Sequence, residues 1–98
     1  MKTYTIIEYC TRRNIPTETE FRSVTGTVSE LVDAFKDNLE EGLSDYEHKR
    51  HQSSRAYKIS LNPKSIKALI NALNKSNDNR RYYNHDGPIL EKYKLVEL

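Results

Sequence analysis

The first quarter of the chain contains clusters of β-branched and aromatic residues, separated by polar positions, that are typical of β-strands. Residues 2–12 contain isoleucine, tyrosine, cysteine and several threonines, which are residue types enriched in strands. A polar segment at 13–19 is predicted as a turn, and a second apolar stretch at about 20–26, with Phe21 and Val24, is predicted as a second strand. Because the connection is short, the two strands are expected to form an antiparallel hairpin.

A helical pattern follows the second predicted strand. Thr27 and Glu30 have the spacing of a capping box, in which each residue satisfies a free amide of the other. Apolar residues then recur at helical spacing, and Gly42 is a residue type that ends many helices. The pattern predicts a helix at 28–41, called helix A, and a mobile loop at 43–54.

Two further strands are predicted in the second half of the chain. Tyr57, Ile59 and Leu61 alternate with Ala56, Lys58 and Ser60, which favours a short strand with one buried face. Residues 89–97 contain a similar run of leucine, tyrosine and valine and are predicted as the last strand.

A second helix is predicted between these strands. Asn62 can accept hydrogen bonds from free helix amides, and Pro63 suits the first helical position because it has no N–H. The predicted helix B runs from 63 to about 75 and ends in the amide-rich run 74–79. A loop at 80–88 then leads to the last strand. The apolar stripe of helix B consists of Ile66, Leu69, Ile70 and Leu73.

These elements predict an α+β fold in the order β-β-α-β-α-β, with a mostly antiparallel sheet and both helices packed on one face. The length of 98 residues fits one domain, residues 1–98. The apolar fraction is only 36% and the mean hydropathy is −0.85, but the apolar residues occur in periodic clusters. The pattern therefore favours a folded chain over a disordered one.

The sequence carries no sign of a membrane segment. No apolar run approaches the roughly 20 residues that cross a bilayer, and Met1 to Thr5 enter a strand pattern without a signal-peptide core. We therefore expect a cytoplasmic protein. Cys10, the one cysteine, lies in the first strand pattern and is interpreted as a half-buried hydrophobe rather than a catalytic or redox thiol.

Acidic and basic residues are concentrated in different segments of the chain, although the net charge is only +2. Residues 28–47 contain seven acidic residues and one basic residue, whereas residues 48–81 contain nine basic residues and one acidic residue. Five carboxylates of helix A fall opposite its apolar stripe. This set is called the acidic ridge and consists of Glu30, Asp33, Asp37, Glu40 and Glu41. It is either a solvated helix face or a recognition surface for a basic partner, by mimicry of nucleic acid or by docking on a basic protein.

The basic half of the chain contains the residue types that bind nucleic acid. Its candidate residues are Lys49, Arg50, Arg55, Lys58, Lys64, Lys67, Arg80 and Arg81, with Tyr82 and Tyr83 as possible stacking surfaces. No helix-turn-helix, zinc-finger or RRM signature is present, so such binding would use phosphates and have weak sequence specificity. The alternatives are a solvated face on helix B and tyrosines that pack on the sheet edge.

No motif completes a catalytic or metal site. Glu47, His48 and His51 lie in the predicted loop without a cysteine partner or a second ligand cluster. His85 and Asp86 resemble a base and its orienting group, but no nucleophile, glycine-rich phosphate loop or paired-carboxylate motif accompanies them. We expect a protein without enzymatic activity, metal or cofactor.

Three segments resemble a family of small uncharacterised proteins encoded by bacteriophages and prophages. They are Val24 to Thr27 leading into Glu30 and Leu31, Asn62 to Ile70, and Tyr93 to Glu97. The resemblance implies an accessory phage product, a class rich in small inhibitors of host replication, transcription or defence proteins. We expect a small binding protein that acts on a protein or nucleoprotein complex of a bacterial host, with nucleic-acid binding as the alternative. A structural or self-assembling module is the third possibility, and the oligomeric state stays open.

Overall fold

The protein has a small α+β fold, seen in a computed structural model that describes residues 2–12, 15–49, 57–83 and 89–96. These residues form a three-stranded antiparallel sheet and three helices. The α+β class is confirmed, but the order along the described chain is β-β-α-α-α-β, with no strand between the helices. The elements are β1 (Tyr4–Arg12), β2 (Ile15–Gly26), α1 (Val28–Ala34), α2 (Lys36–Lys49), α3 (Ile66–Tyr83) and β3 (Ile89–Val96).

The sheet is built around β1, which pairs antiparallel with β2 on one side and β3 on the other. Ile6 at its centre lies opposite Val24 on β2 and Leu95 on β3. The predicted hairpin and the predicted last strand are therefore confirmed. The prediction of a turn at 13–19 is wrong for residues 15–19, which belong to β2. Thr17 and Thr19 are exposed, and such polar residues suit this position because β2 is an edge strand in the described sheet.

The two faces of the sheet have different neighbours. Alternate residues of a strand point to opposite sides, so Ile6 and Glu8 share one face while Ile7 and Tyr9 share the other. The face with Ile6, here called the inner face, packs against the helices, and the opposite face is called the outer face. The buried core consists of Ile6 and Tyr93 from the sheet, Leu31, Phe35 and Leu39 from the α1 and α2 region, Leu69, Ala72 and Leu73 from α3, and Ile59.

The first helix begins as its sequence predicts. The Glu30 N–H donates to Thr27 Oγ1 at 3.3 Å and the Thr27 N–H donates to Glu30 Oε1 at 3.0 Å, which completes the capping box. However, the continuous helix A predicted at 28–41 is wrong, because α1 ends at a turn at Phe35 and α2 follows directly.

Gly42 does not end a helix, and this part of the prediction is wrong. It lies buried within α2 in close contact with α3, where an added Cβ would lie 2.1 Å from Ser76 Oγ and 2.7 Å from Ser76 Cα. Residues 43–49, predicted as loop, are helical because this contact gives α2 a helical neighbour. Positions 50–54 of the predicted loop lie outside the described residues.

The predicted strand at 56–61 is wrong for its described part, residues 57–61, which have no regular secondary structure. The backbone of this segment hydrogen-bonds to a side chain of α3 instead of to a neighbouring strand. Asn79 Oδ1 accepts from the Tyr57 N–H at 2.8 Å, and Asn79 Nδ2 donates to the Tyr57 carbonyl at 2.7 Å. Asn79 Nδ2 also donates to the Gly42 carbonyl at 3.0 Å, so one buried amide joins three segments.

The last helix begins later than predicted. Helix α3 starts at Ile66 rather than at 63, and Ser65 takes the capping role that was assigned to Asn62. Ser65 Oγ accepts a hydrogen bond from the Ala68 N–H at 3.1 Å. Proline therefore lies before the helix instead of at its first position.

Helix α3 also ends later than predicted. The amide-rich run 74–79 continues the helix, because Ser76, Asn77 and Asn79 are buried against the rest of the molecule. Ser76 Oγ, for example, donates to the Asn38 carbonyl of α2 at 2.6 Å. The backbone of residues 80–83, predicted as loop, forms the last turn of α3.

Candidate binding surfaces

The acidic ridge lies on the solvent side of α1 and α2, and all five of its side chains are exposed. On the opposite side of these helices Leu31, Phe35 and Leu39 are fully buried. The turn at Phe35 does not separate the two halves. The Phe35 N–H donates to the Leu31 carbonyl at 3.0 Å and the Leu39 N–H donates to the Phe35 carbonyl at 3.2 Å, so helical hydrogen bonding continues across it.

Glu30 differs from the other residues of the ridge, because its carboxylate accepts the Thr27 N–H. The hydrogen bonds from the backbone and side chain of Thr27 lower the pKa of Glu30 below its ordinary value of 4.5. Glu30 therefore has a structural role at the start of α1, whatever else it contacts.

The α2 part of the ridge has a shape of its own. Asp37, Glu40, Glu41 and Ser44 line a shallow hollow on the surface of α2. Carboxylates three and four residues apart on a helix repel one another, so their grouping does not stabilise the free helix. The hollow offers oxygen atoms of negative charge, which suit a lysine or arginine side chain.

The basic candidates are more dispersed. Lys58, Lys64 and Lys67 are exposed. The backbone of Lys49 belongs to α2 and that of Arg80, Arg81, Tyr82 and Tyr83 to α3, while their side chains lie outside the described part of the structure. Arg50 and Arg55 lie outside the described residues altogether.

A groove beside α3 brings one of the basic candidates, Lys67, together with apolar residues. Ile66, Ile70 and Leu95 contribute apolar surface, and Lys67, Asn71 and Asn74 of α3 also line it. Part of the outer side of predicted helix B therefore faces a groove beside β3.

Sequence reasoning missed the outer face of the sheet. Ile7, Tyr9, Phe21 and Val96 are apolar or aromatic, yet none of them packs against the buried core. Phe21 is 65% exposed and Val96 is 37% exposed. The signal was present in the consecutive residues Ile6 and Ile7, since two adjacent apolar residues in a strand give both faces of the sheet apolar character.

A buried polar cluster lies on the inner face. Glu8 is 2% exposed, and its Oε1 accepts from Arg22 Nε at 2.9 Å while its Oε2 accepts from Asn38 Nδ2 at 3.2 Å. Asn38 Nδ2 also donates to the Tyr93 hydroxyl. Since Arg22, Glu8 and Tyr93 lie side by side on the three strands, the cluster joins the sheet to α2.

The described residues provide no metal site and no membrane segment. Among them, no group of three or more histidine, cysteine, aspartate or glutamate residues is arranged to hold a metal ion. His48 is exposed on α2, whereas His51, His85 and Asp86 lie outside the described residues. No helix in the described ranges is long and apolar enough to cross a bilayer.

Comparison with known proteins adds no family to these observations. No family model, no curated protein and no solved structure matches the chain. The resemblance to small phage proteins therefore stays a prediction, and the function is argued from the surfaces themselves.

Proposed function

We propose that this protein is a non-enzymatic accessory protein of phage type, which binds a protein of a bacterial host complex and modulates it. The observation that carries the proposal is the row of exposed carboxylates along α1 and α2. Glu30 also caps α1, so recognition rests mainly on Asp33, Asp37 and Glu40, and the hollow of α2 receives a basic side chain of the partner. Such surface charges act mainly by speeding the encounter with a partner of opposite charge.

The test combines affinity capture from a bacterial host with measured binding kinetics for the captured protein. The variant Asp37→Asn with Glu40→Gln removes two charges from the ridge and preserves side-chain size. We expect about a tenfold slower association and a weaker dependence on salt, with little change in dissociation. The free protein should lose no stability, because repulsion between carboxylates is reduced.

The matched control removes two acidic charges elsewhere, with Glu20→Gln on β2 and Asp78→Asn on α3, both of which are exposed. This control should associate at nearly the rate of the parent after the equal change in net charge. If the ridge variant and the control behave alike, only the net charge matters and the ridge is a solvated face.

The second candidate is weakly specific nucleic-acid binding by the basic residues of α3. The length of α3 favours it, because Lys67, Arg80 and Arg81 lie on one helix instead of on a helix and a separate loop. Neutralising Arg80 and Arg81 to glutamine should then weaken binding and flatten its salt dependence. Absence of DNA or RNA binding at low salt, where electrostatic attraction is strongest, would remove this candidate.

A further inference from the structure

The outer face of the sheet carries the exposed side chains of Phe21 and Val96 beside the half-buried Ile7 and Tyr9, and no described helix packs on it. Helices contact the face with Ile6 and Glu8, so the side chains between them on β1 point away from the helix layer. The outer face carries Ile7, Tyr9 and Val96. A sheet face that meets only water normally carries polar residues, and an exposed apolar patch marks an interaction surface.

An irregularity in the sheet adds a second aromatic side chain beside Tyr9. The register of β1 and β2 shifts between Glu8 and Tyr9, so that Arg22 faces Glu8 while Glu20 faces Tyr9. Phe21 is the extra residue of this bulge, and counting by two from Ser23 places it on the outer side. Its 65% exposure leaves most of the ring free for contact.

Two lysines lie on the same face along β3. Lys92 is opposite Tyr9 in the sheet, and Lys94 is opposite Ile7. The Lys94 Nζ lies 4.6 Å from the centre of the Tyr9 ring, and both lysines are exposed. The outer face therefore has cations along β3 and aromatic rings on β1 and β2.

This charge decides between the possible occupants. On the described part of this face Lys92 and Lys94 outnumber the acid Glu20, so two copies packed face to face would bring net positive charge together and bury it. An anionic ligand with flat rings satisfies both features. In single-stranded nucleic acid the bases stack on aromatic rings and the phosphates meet lysines, whereas the bases of a duplex are already stacked on each other.

We propose that the outer face is a binding platform for single-stranded nucleic acid. One base stacks on Phe21, and a second stacks on Tyr9 when Lys94 moves from the Tyr9 ring to a phosphate. The phosphates run along β3, where Lys92 and Lys94 contact them. Glu20 lies on the β2 side of Tyr9, where its Oε1 accepts from Ser23 Oγ at 2.8 Å. Its negative charge keeps the phosphates on the β3 side, so the bases point from β3 towards β2.

The test measures the fluorescence anisotropy of labelled oligo-dT and oligo-U of about 12 nucleotides, and of a duplex, against the full chain. The single strands should bind more tightly than the duplex. Phe21→Ala and Tyr9→Ala should each weaken single-strand binding by about 5- to 100-fold, which is the usual loss for one stacked base. Lys92→Gln with Lys94→Gln should lower the slope of log K against log salt by about 1.4, since each phosphate contact in a single strand contributes about 0.7.

The controls separate this platform from the other surfaces. Lys64→Gln with Lys67→Gln removes the same charge at the start of α3. Apart from the effect of the lower net charge, this variant should change the affinity for single strands by no more than about twofold. Tyr9→Phe preserves the ring and should preserve most of the binding. Asp37→Asn with Glu40→Gln should not weaken oligonucleotide binding. The proposals for the platform and for the acidic ridge can therefore be tested independently.

Three outcomes would overturn the proposal. The first is no single-strand binding at low salt, and the second is binding that depends on Lys64 and Lys67 but not on Phe21. The third is a dimer in sedimentation equilibrium that Phe21→Ala dissociates, which would show that a second copy covers the outer face. Since Phe21 is mostly exposed, its alanine variant should remain folded, and circular dichroism will check this.

Discussion

Each face of the sheet carries a residue of the type that is usually found on the other kind of face. The inner face, although buried, carries the carboxylate of Glu8, which is only 2% exposed. The outer face, although open, carries Phe21 at 65% exposure. A buried polar group and an exposed apolar patch are the informative exceptions in a folded protein, and Phe21 lies in such a patch with Tyr9 and Ile7.

The two exceptions differ in whether the fold itself explains them. Both oxygens of Glu8 accept hydrogen bonds from side chains of the same molecule, Arg22 and Asn38, so the buried carboxylate is explained by the fold. Phe21 does not belong to the core cluster or to the side chains that pack against it. The inner face is therefore an internal assembly, while the outer face points to a partner.

The two phenylalanines of the chain, Phe35 and Phe21, offer the strongest test of this comparison. Phe35 is fully buried and meets Tyr93 edge to face with ring centres 5.8 Å apart, so Phe35→Ala should reduce the free energy of unfolding by about 3 to 5 kcal/mol. Phe21→Ala should change it by less than about 0.5 kcal/mol. Urea denaturation measures both, and an equal loss in the two variants would mean that the outer face is not open.

The buried carboxylate should show the next largest effect. Glu8→Ala removes one of the acceptors of the Asn38 amide and the acceptor of Arg22 Nε, and should cost about 1 to 3 kcal/mol in the free energy of unfolding. The cost stays below that of a fully buried ion pair, because the Arg22 side chain is 41% exposed and water can reach it. Glu20→Ala on the outer face is the matched control and should fall within about 0.5 kcal/mol of the parent.

A substitution at Gly42 tests the contact between α2 and α3, the helices that lie over the inner face of the sheet. At an exposed helical position, replacing glycine by alanine is favourable by about 1 kcal/mol. Here the added Cβ meets Ser76 at 2.1 Å, including backbone at 2.7 Å, and overpacking of this kind costs about 1 to 3 kcal/mol. Gly42→Ala should therefore destabilise by up to about 2 kcal/mol net, and thermal denaturation that instead shows a higher Tm would contradict the close approach of α2 and α3.

The smallest expected effect concerns Glu30, an exposed residue with a partner inside the molecule. Since hydrogen bonds from Thr27 lower the pKa of Glu30 below 4.5, the carboxylate contributes stability above that pH and loses it as the pH falls through the lowered pKa. Glu30→Gln preserves a capping side chain without the charge. The variant should be slightly less stable than the parent at neutral pH, and the difference should disappear in acid.

Urea denaturation at stepped pH follows this difference, and Asp33→Asn serves as the control on the same helix. A difference between Glu30→Gln and the parent that stayed constant down to acid pH would show that the charge of Glu30 is not involved.

Much of the secondary structure could be predicted from local sequence. The capping box of Thr27 and Glu30 depends on residues three apart, and the pairing of β1 with β2 depends on strand patterns joined by a short connection. Helical periodicity was also sufficient to place the carboxylates of the acidic ridge on the side opposite Leu31 and Leu39. These features depend on residues near one another in the chain, whose geometry is set by the backbone.

The errors concern residues whose roles depend on contacts distant in sequence. Gly42 has the local signature of a helix end, and Asn79 that of a helix breaker, but each lies where α2 meets α3 or the segment at Tyr57. Local preferences of glycine and asparagine amount to about 1 kcal/mol, and tertiary packing outweighs them. The sequence alone determined the presence of β1, β2 and β3, the cap of α1 and the charge of the ridge. Only the tertiary structure decided which side of the sheet the helices cover, because that choice depends on packing between residues far apart in the chain.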